Sequence, residues 1–196
     1  MSYPEKNESV RSGNPVQVLI RAVAFAAEKH RDQRRKDKDA SPYINHPIAL
    51  ANLLANEANK TDVDVLCAAI LHDTIEDTKT TPEELATNFG TKVRDMVQEV
   101  TDNKTLLKEV RKQNQIDHSP HLSDGAKLIK LADKICNLRD VAGSPPADWS
   151  LERRIEYFDW SKKVIDGLRG VDAGLEALFD AEYSNRPGLA PPTQKI

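Results

Sequence analysis

The sequence predicts an all-α fold, a compact single-domain helical bundle, and three observations carry that expectation. Strand signals are nearly absent, apolar residues recur at helical spacing, and capping residues stand in front of most apolar runs. There is also no internal repeat and no interdomain linker, and 196 residues suit one domain with a real core.

The elements follow in order. Asn14 and Pro15 make an N-cap and first-turn pair before "VQVLIRAVAFAAEKH". A charged loop, "RDQRRKDKDASPYIN", comes next. Pro47 starts "PIALANLLANEA", and Thr61 and Asp62 open "VDVLCAAILHDTIED", expected as one continuous helix. The run Thr81-Pro82-Glu83-Glu84 reads as a capping box, and Gly90 stops the short helix it begins. Thr91 opens "KVRDMVQEV", and a polar helix is expected from Lys104 to Asp117. The segment "GAKLIKLADKICNLRDV" is apolar on most sides, so it should be central and buried. After the break at "GSPPADW", Ser150 caps "LERRIEYFDWSKKVIDGLRG", and a last helix runs near Ala173 to Tyr183. The expected organisation is a flexible N-terminus over 1–13, one domain over 14–183, and a flexible tail over 184–196.

Composition narrows the function. A formal net charge of −3 argues against a broad nucleic-acid or membrane surface. With 5% aromatic and 30% charged residues, the core must be built mainly from Leu, Ile, Val and Ala. Cys67 and Cys136 both lie in apolar segments and read as small buried thiols in a reducing compartment. No apolar run approaches the roughly 20 residues that span a bilayer. The N-terminal "MSYPEKNESVRSGN" has no apolar stretch of the signal-peptide kind, so a cytoplasmic location is expected.

One stretch raises a chemical question. "AAILHDTIEDT" ends an apolar run with His72, Asp73, Glu76 and Asp77. On a continuous helix these four form one strip with Val65, Leu66, Ala69 and Ile70, so the apolar face leads straight into charge. Unpaired charge beside a core is costly, which argues for a lined pocket in preference to a solvated helix end. His46 in "YINHP" and Asp133 in "KLADK" add to the case, because a lone Asp in an apolar helix is rare unless paired or bound to metal. His46, His72, Asp73 and Asp133 would make a shell of two imidazoles and two carboxylates, which suits Mn²⁺ or Fe²⁺ over a closed zinc site. The densest basic stretch, "HRDQRRKDK", is either a solvated loop or the mouth of a phosphate site.

The order His, His-Asp, Asp resembles the HD-domain superfamily of metal-dependent phosphohydrolases. The longer pattern "RRKDKDASPYINHP", "AAILHDTIEDT", "FGTKVRDMVQEVTDNKT", "AKLIKLADKICNLRDV" and "EYFDW" resembles the hydrolase domain of RelA/SpoT-type proteins. The likeness is strongest to the stand-alone metazoan SpoT homologue and bacterial small alarmone hydrolase type, over roughly Val16 to Gly170. It implies an HD-domain helical fold, one Mn²⁺, and guanosine-3′,5′-bis(diphosphate) 3′-pyrophosphohydrolase activity, with ppGpp or pppGpp giving GDP or GTP plus pyrophosphate. It further implies metal ligation by His46, His72, Asp73 and Asp133, and handling of the attacking water by Glu76 and Asp77. Substrate contacts are implied at Arg35, Lys36, Tyr43, Asn137 and Tyr157. The chain stops short of a fused synthetase domain, so regulation through one is expected to be absent. Two other readings stay open: an HD phosphohydrolase acting on another nucleotide, such as the 2′-phosphate of NADPH, and a non-catalytic alarmone-binding domain. A helical interaction scaffold with an incidental metal is a third.

Overall fold

In the computed structural model, which describes residues 14–188, Asn14 begins the first helix. Its side chain accepts from the Val16 N–H at 2.9 Å, and Pro15 fills the first turn of α1 (Pro15–Lys29). The expected flexible N-terminus over 1–13, and residues 189–196 of the expected tail, lie outside the described residues. The chain continues through α2 (Asn45–Asn52), a π-helical turn (Leu53–Glu57), α3 (Val63–Leu71), α4 (Thr74–Asp77), α5 (Pro82–Phe89) and α6 (Thr91–Val100). It ends with α7 (Lys108–His118), α8 (Asp124–Gly143), α9 (Leu151–Asp166) and α10 (Ala173–Tyr183). Among the described residues there is no strand, only an isolated bridge between Arg34 and Pro42. No helix among them is long and apolar enough to cross a membrane.

Two helices organise the packing. α3 and α8 lie against each other; α1, α2 and α6 cover α3, while α2, α6, α9 and α10 cover α8. Every residue from Val65 to Leu71 is buried, as the near-continuous apolar run requires. On α8, Ile129, Leu131, Ala132, Ile135 and Leu138 have no exposed surface, so the expectation of a central helix holds.

Caps account for several boundaries. Asp62 accepts from the Asp64 N–H at 2.9 Å, Ser150 from Arg153 at 3.3 Å, and Asp172 from Leu175 at 2.8 Å. Thr81 accepts from the Glu84 N–H at 3.2 Å, but the reciprocal half of that capping box is absent. The Glu84 carboxylate instead takes Lys29 Nζ at 2.7 Å and so ties α5 to α1. Gly90 ends α5 at φ +89°, a backbone region that disfavours any side chain.

Four boundaries differ from expectation. α2 starts two residues before Pro47, whose missing N–H falls among the first-turn donors that have no helical partner anyway. The polar helix starts at Lys108 and not at Lys104, because the Asn103 side chain accepts from the Thr105 N–H at 3.0 Å and makes a turn there. α9 stops at Asp166, with Gly167 packed beside Ser119 and Pro120. Most important, the helix expected over 63–77 is broken at His72 and Asp73.

Ile135→Ala is expected to lower the unfolding free energy by roughly 2–5 kcal/mol, because the side chain is fully enclosed at the α8 crossings. Urea denaturation measures it; a loss of less than about 1 kcal/mol would show that α8 is not the packing hub.

Candidate active site

The break after α3 has a local cause. The His72 ring donates from Nδ1 to the Ala69 carbonyl at 2.9 Å, and Thr74 Oγ1 donates to the Leu71 carbonyl at 2.7 Å. Both carbonyls are thereby engaged by side chains where a continuous helix would use backbone N–H groups. Asp73 sits at φ −97° and ψ 0°, and α4 resumes with Thr74. His72 and Asp73 now face the same cavity, together with Glu76 one turn on.

Three further elements bring sequence-predicted site residues to that cavity, whose volume is about 170 Å³. α2 supplies His46 and α8 supplies Asp133 and Asn137. Arg35 and Tyr43 come from the loop after α1, which is closed by Arg35 N–H to Ser41 O at 2.8 Å and Tyr43 N–H to Gln33 O at 3.1 Å. Asp37 tightens the loop by accepting from the Ser41 N–H at 3.0 Å and from the Ser41 hydroxyl.

His46, His72 and Asp133 each offer one ligand atom, all within 4.8 Å of one another. His46 Nε2 is 3.2 Å from Asp133 Oδ1, and both rings are buried. Asp73 stands beside this trio: its Oδ2 is 2.9 Å from His72 Nε2 and accepts the Tyr43 hydroxyl proton. Because His72 Nδ1 carries its proton toward Ala69, Nε2 is the nitrogen turned to the cavity, where it makes no aligned hydrogen bond and becomes a metal ligand on giving up its proton. Burial opposes charge on Asp133, yet the Lys134 ammonium and the His46 hydrogen bond hold its carboxyl well below the usual range. Burial also opposes charge on Asp73, but His72 outweighs it, so Asp73 too stays ionised. For His72 the burial effect is again overcome, here by Asp73, and its pKa rises to about 9. These are the marks of a cavity short of positive charge. Imidazole lone pairs and ionised carboxylates, with no thiolate among them, fit a divalent cation.

The acidic pair divides. Glu76 lines the inner cavity, accepts from the Asp102 N–H at 2.9 Å, and has its pKa raised by burial. Asp77 lines a second, larger cleft of about 510 Å³, where Gln33 Nε2 donates to its Oδ2 at 2.7 Å and Lys104 pairs with Oδ1. The two cavities share Arg35, Tyr43 and Asn137. Asn137 donates to Asp133 Oδ1 at 2.6 Å and accepts from Arg35 at 3.5 Å. Lys36 is exposed and lines the outer cleft, with Tyr157 and Trp149, but not the inner cavity.

Several groups at the site were not singled out from sequence. Lys134 pairs with Asp133 at 3.2 Å, and buried Lys130 donates to the Val100 carbonyl at 3.0 Å. Burial, helped by the Lys134 charge, lowers the Lys130 pKa. Their signal was available: two lysines flank Asp133 within an otherwise apolar helix. Gln33, Lys104 and Asp140, the carboxylate paired with Arg35, carried no comparable signal.

Asp133→Asn and His72→Ala are each expected to abolish stoichiometric binding of divalent metal, because either change removes one of three converging donors. Elemental analysis of the purified variants measures it; full occupancy in both would refute the ligand assignment. Asp73→Asn tests the neighbouring carboxylate in the same way.

Comparison with known proteins agrees with this geometry. The HD domain family profile matches residues 22–156. A Xenopus tropicalis protein named guanosine-3′,5′-bis(diphosphate) 3′-pyrophosphohydrolase MESH1 is 53% identical over 173 residues, covering 88% of this chain and 96% of its own length. The Homo sapiens protein of the same name is also 53% identical, over 89% of this chain and 97% of its own. A solved structure described as a metazoan ortholog of SpoT that hydrolyzes ppGpp superposes with a TM-score of 0.84 at 44% identity, over 97% of this chain and 100% of that one. The chain belongs to the HD-domain family and, within it, groups with the metazoan SpoT orthologues.

Proposed function

We propose that this chain is a guanosine-3′,5′-bis(diphosphate) 3′-pyrophosphohydrolase, converting ppGpp to GDP and pppGpp to GTP with release of pyrophosphate. The observation that carries the reading is the junction of two cavities: an anionic one around His46, His72 and Asp133, and a larger cleft edged by Arg35, Lys36 and Lys104. Relatives of matching length bear that activity in their names, and the solved neighbour is described as hydrolysing ppGpp.

His46, His72 and Asp133 would hold the metal, with Asp73 as fourth donor, and we assign Mn²⁺ because mixed nitrogen and carboxylate donors without sulfur suit it. When bound, such an ion polarises a phosphoryl oxygen and lowers the pKa of water. Glu76 is the general base in this scheme, because it shares the inner cavity with the ligands and Asp77 does not. The water oxygen attacks the phosphorus bonded to ribose O3′ as Glu76 takes its proton. The P–O3′ bond breaks, O3′ takes a proton from water while Glu76 returns its own to solvent, and pyrophosphate departs intact. Asn137 has its amide fixed between Asp133 and Arg35, which suits it to the ribose edge. Arg35 and Lys36 attract the phosphates, while Tyr43 and Tyr157 wall the nucleoside end. The two buried free cysteines support a reducing, cytoplasmic setting.

Incubation with Mn²⁺ and a nucleotide panel tests the reaction. GDP plus pyrophosphate is expected from ppGpp, and no product from GTP, which has no 3′ phosphate. Orthophosphate from NADPH with no action on ppGpp would replace this reading. Glu76→Gln is expected to keep its metal and lose roughly 10²–10⁴-fold in kcat, the usual scale for a general base. Loss of metal instead would make Glu76 a ligand.

A further inference from the structure

Asp77 is held by a hydrogen-bond chain that starts from a buried histidine outside the catalytic cavity. Its carboxylate accepts only, so Gln33 must present its NH₂ to Oδ2, the contact at 2.7 Å. The Gln33 carbonyl oxygen is then turned to His30, 2.6 Å from Nδ1. An oxygen acceptor there requires that Nδ1 carry a proton. Flipping the amide would set its oxygen against the Asp77 carboxylate, so the chain has one polarity: His30 to Gln33 to Asp77. His30 is 2% exposed, and its Nε2 has no partner among the described residues. The same ring lies on Tyr43 at 4.9 Å between centroids, and Tyr43 donates to Asp73. His30 ends α1, so its position is set by the core: its N–H bonds to the Ala26 carbonyl at 2.9 Å.

We propose that His30 and Gln33 are positioning residues for the hydrolysis: they orient the Asp77 carboxylate, which shares Lys104 with the general base Glu76. The need for such positioning follows from the opposite side. Lys104, half-exposed on the loop before α7, pulls on Asp77 Oδ1 and stands 3.9 Å from Glu76 Oε1. Without the Gln33 contact, Asp77 is held through Oδ1 by a flexible lysine, and the place of that lysine beside Glu76 loses its tie to the core. A fixed amide between a core-anchored ring and the carboxylate supplies that tie. The proposal rests on the hydrolase reading above, so its test has one arm that needs no turnover.

That arm is a long-range ¹H–¹⁵N spectrum of the histidine rings in the intact protein. A protonated Nδ1 on His30 is expected, with its signals moving in Gln33→Ala; a bare Nδ1 overturns the proposal whatever the enzyme does. The second arm is kinetic, with ppGpp. Gln33→Ala and Gln33→Glu are expected to lose roughly 10–100-fold in kcat, the usual scale for partners that orient a site, with KM and metal content little changed. His30→Asn keeps a donor near the Nδ1 position and is expected to recover most of the rate that His30→Ala loses. The His30→Ala/Gln33→Ala double variant should be no slower than Gln33→Ala, because both act through one carboxylate. A kcat within about twofold of the unsubstituted protein in Gln33→Ala, or losses that multiply in the double variant, would overturn the assignment. Absence of ppGpp cleavage by the unsubstituted protein would instead count against the hydrolase reading, leaving the spectrum to judge the chain.

Discussion

The negative charge of Asp133 sets the conditions for everything around it. The residue lies on α8, the helix that most other elements cover, with fully buried Leu131, Ala132 and Ile135 as near neighbours in sequence. An isolated carboxylate there would cost several kcal/mol in desolvation. The structure offsets the cost with contacts from its own helix and from outside it: Lys134 at 3.2 Å, the Asn137 amide at 2.6 Å, and His46 at 3.2 Å. Two of these contacts carry the constraint to other elements. His46 ties α2 to α8, and Asn137 hands the constraint on to Arg35 and hence to the loop after α1.

The two cavities have opposite electrical character, and that has a consequence for binding order. Asp73, Asp133 and Glu76 wall the inner one, whose own carboxylates would repel a phosphate group. A divalent ion held by His46, His72 and Asp133 would reverse the local sign and so favour entry of a phosphate group. The outer cleft sets Arg34, Arg35, Lys36 and Lys104 against Asp37, Asp77 and Asp140, a small cationic excess that favours polyanions. Arg35 stands between the two. It pairs with Asp140, reaches Asn137, and lies 5.7 Å from the Tyr43 ring centre. A bound phosphate therefore competes with Asp140 for the same guanidinium, so nucleotides with more phosphate charge gain more from that exchange.

Much of this was legible in the sequence, and several of the failures share a cause. Caps at Asn14, Asp62, Thr81 and Ser150 fixed helix starts because their chemistry is local. The buried character of α8 followed from its apolar residues on most sides. Asp133 was conspicuous because a carboxylate in such a helix demands a partner. By contrast, Gln33, Lys104 and Asp140 owe their places to contacts across 44, 27 and 105 residues of chain, which no local pattern encodes. The reciprocal half of the Thr81 capping box failed for the same reason: Lys29, 55 residues away, is a stronger partner for Glu84 than a backbone N–H.

The broken helix is the instructive departure. On a regular α-helix adjacent residues project about 100° apart, so His72 and Asp73 could not both present their side chains to one point. An unbroken helix would place these residues on one continuous strip, with Glu76 and Asp77 simply repeating the pair one turn later. The break does something different. Once the His72 and Thr74 side chains engage the carbonyls of Ala69 and Leu71, Asp73 turns at ψ 0° and its Oδ2 comes within 2.9 Å of His72 Nε2. The short α4 then sets out from the turn with Glu76 lining the inner cavity and Asp77 the outer cleft. His72, Asp73 and Glu76 thus share the inner cavity, and Asp77 stands apart in the outer cleft. Helix propensity would favour continuing through 72 and 73, and the apolar run before them does nothing to stop it. What stops it is local side-chain hydrogen bonding that competes with the helix, placed where two neighbouring side chains must face one centre.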